Sequence, residues 1–241
     1  MDRAWAAVVV AVTLAAGQAA SAQGPRPAAP RGGPGGDACF PSVSPAAPTR
    51  SGPRLLPVDD AVSRPDFFSF RAQLLAAIAR RDEAALLASV DPGIRTSFGD
   101  DTGVEAFARQ LRDPQSAVWG ELGAVLALGG RFRSATSFEA PYVFAAWPER
   151  LDSFECAAVT GERVRVRATP DPLSAVVGTV SYDIVRLAGS TAAGAGLRHV
   201  VLANGVSGYM AARYVRSPVE KRAIFQATGG QWRLAAFVSG D

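Results

Sequence analysis

Arg163-Val164-Arg165-Val166-Arg167 runs into Ala168-Thr169-Pro170-Asp171-Pro172, then through Val176-Val177-Gly178-Thr179-Val180 to Gly208-Tyr209-Met210 and Tyr214-Val215. Basic and apolar residues alternate over the first five positions, so period-two geometry turns Val164 and Val166 inward and the three arginines outward. The prolines that follow mark a turn. Leu197-Arg198-His199-Val200-Val201-Leu202 reads as a further strand, and Asn204-Gly205 behind it is a tight hairpin turn. Short strands broken by Gly and Pro turns predict an all-β unit over 155–217.

The order of these elements resembles a bacterial SH3 domain over about Glu162 to Val215. Val166-Arg167-Ala168-Thr169-Pro170 matches the turn that ends the family's first strand, and Val177-Gly178-Thr179-Val180 matches its second strand. Gly208-Tyr209-Met210 with Tyr214-Val215 matches its closing segment. The resemblance implies an SH3-like barrel and a module that binds rather than catalyses. Two positions depart from the family: Leu197 stands where a tryptophan is common, and Ser190 to Gly196 is a small-residue loop where a shorter connection is usual. Both reduce the family's aromatic groove. Tyr182, Tyr209 and Tyr214 are then the candidate contact residues, since a ring with a polar tip suits peptide or glycan; packing at the barrel rim is the competing reading. Arg165 and Arg167, in a row with Arg163, either meet anionic wall polymers or carboxylate-bearing peptides or form a solvated sheet face.

The start of the chain indicates its compartment. Met1-Asp2-Arg3 precedes an apolar run from Ala4 to Ala16, and Ala20-Ser21-Ala22 precedes Gln23. This is the three-part pattern of a cleaved secretory signal peptide over 1–22. Its apolar run falls short of the roughly 20 residues that span a bilayer. The expected location is the periplasm or the secreted fraction, with no stable membrane span after cleavage. Residues 23–56 form a Pro/Gly-rich stretch that, continued to Pro57, holds nine of the seventeen prolines. It has too little apolar surface to offset chain ordering, so a disordered tether is expected. Cys39 in the tether and Cys156 are the only cysteines; in an oxidising compartment they are either a disulfide or two unpaired thiols.

Residues 57–150 predict a mainly helical α+β domain. Phe67, Phe70, Leu74 and Ile78 recur at spacings of three and four, with Pro65 suited to a first turn and Ser63 or Asp66 to a cap. Asp82 is placed to cap a second helix running through Val90, and Ile94 to Phe98 alternates as a short strand would. Thr102 with Glu105 has capping-box spacing, and Asp113-Pro114 is placed to open a helix that stops at Gly129-Gly130. An unclassified α+β domain is expected; the alternative is the nuclear-transport-factor-2-like fold, to whose start the helix pair and strand are similar over about forty residues. Lys221 to Thr228 and Gln231 to Val238, joined at Gly229-Gly230, predict a C-terminal hairpin within 218–241. An SH3 domain ordinarily ends near Val215, so this hairpin is expected to return to the first domain and pair beside Ile94 to Phe98.

Candidates for chemistry are few. His199 is the only histidine, and neither cysteine lies in a nucleophile signature, which removes a Cys/His hydrolase and a histidine-based zinc site. Asp100-Asp101 reads as turn chemistry, because adjacent carboxylates on a loop diverge. No phosphate loop or dinucleotide fingerprint is present, and no cofactor or metal is expected. Charge divides the chain: residues 57–150 carry thirteen acidic and ten basic side chains, residues 155–216 four acidic and seven basic. Nucleic acid would need a larger basic field with interleaved aromatics and is not expected. The expected function is that of an exported bacterial envelope protein whose SH3-like module binds peptidoglycan or an envelope protein or peptide without catalysis. The alternative is an enzyme or small-molecule carrier with a pocket in the 57–150 domain.

Overall fold

The computed structural model describes residues 52–240 other than 98, 100–101 and 190–195. The signal-peptide segment, most of the tether, Cys39 and the Asp100-Asp101 pair lie outside the described residues. The described chain is mixed α/β, with five helices and two sheets, and its C-terminal part is mostly strand.

Helix α1 (Pro65–Arg80) buries Phe67, Leu74 and Ile78 on one face, as the spacing predicts, and ends where Arg81 turns left-handed at φ 52°. Arg71 on the same helix is buried and donates two bonds to Asp59, at 2.7 and 2.6 Å. Neither Ser63 nor Asp66 caps α1: Arg64 occupies the cap position. Asp66 instead accepts from Arg64 and from Trp232 Nε1 at 2.9 Å, and these bonds hold its carboxyl well below the usual carboxylate range. Helix α2 (Glu83–Ala88) is capped by Asp82, which accepts the Ala85 N–H at 3.0 Å.

Strand β1 (Val90–Arg95) begins four residues before the predicted one, taking in Pro92. It lies at a sheet edge, where a proline costs no ladder bond. The capping box before α3 (Val104–Arg112) does not form; Gly103 at φ 88° leads in, while Thr102 bridges to Arg95. Asp113-Pro114 makes a turn rather than a helix start, with Asp113 accepting from Gln115, so α4 (Val118–Ala127) begins later than the sequence suggests. Strands β2 (Arg131–Ser134) and β3 (Ser137–Ala140) and the short α5 (Tyr142–Ala145) follow.

The C-terminal hairpin, β11 (Arg222–Thr228) and β12 (Gln231–Val238), turns at Gly229 and Gly230, both at positive φ, as a tight turn requires. It is central to the first sheet, whose order is β1-β12-β11-β3-β2. Leu234 on β12 pairs in parallel with Val90, and Phe225 on β11 pairs antiparallel with Phe138. Helices cover this sheet around Phe67. Its ring lies 4.2 Å from Phe138, 4.8 Å from Trp232, 5.4 Å from Phe132 and 5.5 Å from Phe225, centroid to centroid.

The second sheet inserts between α5 and β11. Its strands are β4 (Cys156–Val159), β5 (Val164–Arg167), β6 (Val176–Val180), β7 (Ile184–Leu187), β8 (Leu197–Val201), β9 (Ser207–Ala211) and β10 (Val215–Arg216). The order is β10-β4-β7-β8-β9-β5-β6, and the sheet is not closed. The segment read as the end of the tether is fixed against this sheet. Pro53 to Leu55 lies against the start of β7: Ile184 N–H donates to the Pro53 carbonyl and Leu55 N–H to the Tyr182 carbonyl, both at 2.8 Å. This strap satisfies backbone groups at the start of β7. Leu55 then packs with Tyr142, Val143, Ala158 and Ile184 in an apolar seam between the two sheets' units.

Candidate binding cleft

Along β5 the predicted alternation holds. Val164 and Val166 are buried, Arg165 is exposed and Arg167 half-buried. Arg167 pairs with Tyr209 on β9, and Tyr209 pairs with His199 on β8, so these side chains share one sheet face with Leu197 and Ala211. Gly208 makes the approach of β9 to β5 possible: a Cβ there would sit 2.6 Å from the Arg167 carbonyl oxygen. Only glycine lets the backbones come that close.

The result is a cleft of about 540 Å³. Tyr209 and Leu197 contribute to its lining, Arg165 and Arg167 follow β5 along it, and Arg163, just before the strand at φ 50°, is joined by Pro172, Arg213 and Tyr214. Several of these groups are fixed from behind. Arg167 Nη1 donates to the Ser174 carbonyl at 2.6 Å, and the Arg213 guanidinium lies 4.7 Å over the Tyr214 ring. His199 stacks on Tyr209 at 4.6 Å with 11° between ring planes, and its Nε2 is 2.7 Å from Ser207 Oγ.

Charge is the distinguishing property of the cleft. Arg163, Arg165, Arg167 and Arg213 form no ion pair among the described residues, and Glu162 is the acidic residue of the lining. Several arginines elsewhere in the fold are paired with carboxylates. Arg71 has Asp59, while Arg198 and Arg216 share Glu220 at 3.0 and 3.7 Å. Four unpaired guanidinium groups on one concave surface create a field that attracts anions.

Arg165, Arg167, Tyr209 and Tyr214 are therefore brought together. Tyr182 is not among the lining residues: it sits at the corner between β6 and β7 at φ 60°, where its N–H donates to Gly161 and its carbonyl holds Leu55. Sequence reasoning missed Arg213, which belongs to a short 3-10 turn (Ala212–Tyr214) without periodic pattern; its adjacency to Tyr214 was the available signal. Strand β4 was missed as well, because Cys156-Ala157-Ala158-Val159 shows no alternation. Cys156 is half-buried on that strand, and burial, reinforced by Asp152 and Glu155, pushes its thiol pKa up.

No protein-family model matches the chain, and no curated protein is significantly similar to it.

Among the described residues no group of three or more His, Cys, Asp and Glu side chains could hold a metal ion. No helix among them is long and apolar enough to cross a membrane. Between the helices and the first sheet, the space where a carrier's pocket would lie is occupied by the rings of Phe67, Phe70, Phe132, Phe138, Phe225 and Trp232.

Proposed function

We propose that the protein is an exported binding protein of a bacterial envelope, and that its second sheet is an SH3-like module holding anionic peptide, protein or cell-wall material without catalysing a reaction. The observation that carries this reading is the cleft itself, in which four arginines without carboxylate partners converge with Tyr209 and Tyr214. Two further features support a fixed platform. The apolar seam around Tyr142 and Ile184 docks the module on the α+β unit, and the Pro53 to Leu55 strap adds a second attachment. The export signal and tether read from residues 1–56 supply the compartment in which wall polymers and envelope proteins are available. The alternative carrier reading gains nothing from a first-sheet core filled by aromatic rings.

Retention of the full chain on isolated peptidoglycan and on immobilised envelope-protein extract tests the proposal. Binding to either is expected to fall at least about tenfold when Arg165 and Arg167 are both changed to Glu, since each reversal replaces an attraction by a repulsion. Absence of retention by the native chain on both materials overturns it.

A further inference from the structure

Resting on the reading of the cleft as a binding site, we propose that its ligand is an extended peptide with carboxylates at alternate positions and an apolar residue at one end. Arg163, Arg165 and Arg167 all line the cleft. Arg165 and Arg167, two residues apart on β5, are separated by about 6.6 Å at the roughly 3.3 Å rise of extended backbone, whereas Arg163 precedes the strand at φ 50° and widens the basic surface without continuing that repeat. An extended peptide carrying an acidic side chain at every second residue has the same spacing, so two successive carboxylates meet Arg165 and Arg167 without change of conformation, with Arg163 and Arg213 adding positive charge around them. Each planar guanidinium fork matches a carboxylate in two-bond geometry.

The apolar end follows from what flanks the row. Beyond Arg167 the chain turns through Pro172, which lines the cleft, to Leu173, which is 91% exposed. Asp171 accepts the Leu173 N–H at 2.8 Å, and Ser174 ties the turn back through Thr169, so the leucine is presented by a braced loop. Val177 on the edge strand β6 is a further exposed apolar side chain nearby in sequence, at 40%. An anionic sugar or glycerol-phosphate polymer has the charge for the arginine row but nothing apolar to cover Leu173. A peptide has both. Tyr209 and Tyr214 add ring faces and hydroxyls suited to peptide backbone.

The test uses the full chain and three probes. The first is a fluorescent nonapeptide with glutamate at alternate positions and a terminal leucine. The second has the same composition with its glutamates in one block, and the third is poly(glycerol phosphate). The alternating peptide is expected to bind at least about fivefold more tightly than the blocked one, and to weaken at least about tenfold in Arg165→Glu, a substitution at an exposed position. Leu173→Ser should weaken the alternating peptide and leave poly(glycerol phosphate) unchanged. Equal binding of the two peptides, or tighter binding of poly(glycerol phosphate) than of the alternating peptide, overturns the inference. If neither peptide binds while envelope material is still retained in an Arg165-dependent manner, the peptide assignment fails and the binding-module reading stands. Loss of all retention removes both.

Discussion

Phe225 sits in β11, more than eighty residues beyond the first sheet's previous strand, yet it is fully buried against Phe67, Phe70 and Phe138. If the hairpin is integral to the α+β unit, Phe225→Ala should act as a core deletion in that unit. A buried phenylalanine truncated to alanine costs about 3–5 kcal/mol, through lost transfer energy and the cavity left behind. Against a total stability of roughly 5–15 kcal/mol this is a large fraction. With a urea slope of about 2 kcal/mol per molar, the unfolding midpoint should fall by roughly 1.5–2.5 M. Urea titration followed by tryptophan fluorescence reads this directly, because Trp119 on α4 and Trp232 on β12 both border the affected core. Phe154→Ala, at a site 61% exposed, is the control and should move the midpoint little. A midpoint change below about 0.5 M for Phe225→Ala, equivalent to about 1 kcal/mol at that slope, would refute the argument.

Three further predictions concern buried or half-buried polar groups. Glu139 on β3 lies 3.1 Å from Arg133 Nε, but burial outweighs Arg133 and Arg222 and raises its carboxyl pKa. The folded state therefore keeps this proton to higher pH than the unfolded state, and the associated stability, full below the unfolded pKa, is lost as pH rises through the raised folded value. Glu139→Gln should flatten that part of the stability profile, measured as urea midpoints from about pH 4 to 7; an unchanged slope would contradict the assignment. The Tyr142 hydroxyl is buried in the seam without a hydrogen-bond partner among the described residues, and burial, with Tyr182 adding to it, pushes its pKa up to about 12. Tyr142→Phe should leave the midpoint unchanged or raise it, whereas a loss above about 1 kcal/mol would reveal a partner for the hydroxyl. Finally, burial raises the pKa of Cys156 and lowers its thiolate fraction, so in the reduced Cys39→Ser chain it should alkylate more slowly than a free thiol near neutral pH. Equal rates would refute that.

Local order was legible where local physics sets it. The three-and-four spacing of Phe67, Leu74 and Ile78, the Asp82 cap, the alternation in Val164 to Arg167 and the Gly229-Gly230 turn depend on neighbours a few residues apart, and each is found. Local signals misled where other contacts take over the expected capping residues. Asp66 leaves its expected cap role for Trp232, 166 residues away, and Thr102 bridges to Arg95 instead of capping α3.

The sequence by itself determined which residues face inward on β5 and which are basic and outward, because side-chain direction in a strand follows from backbone pleating alone. Only the tertiary structure decided that Arg213 and Tyr214 join that row, that Tyr182 does not, and that Pro53 to Leu55 occupies the backbone groups at the start of β7. Those outcomes depend on strand order and close approach between segments distant in the chain, as at Gly208 against Arg167, and no periodicity within one segment encodes them.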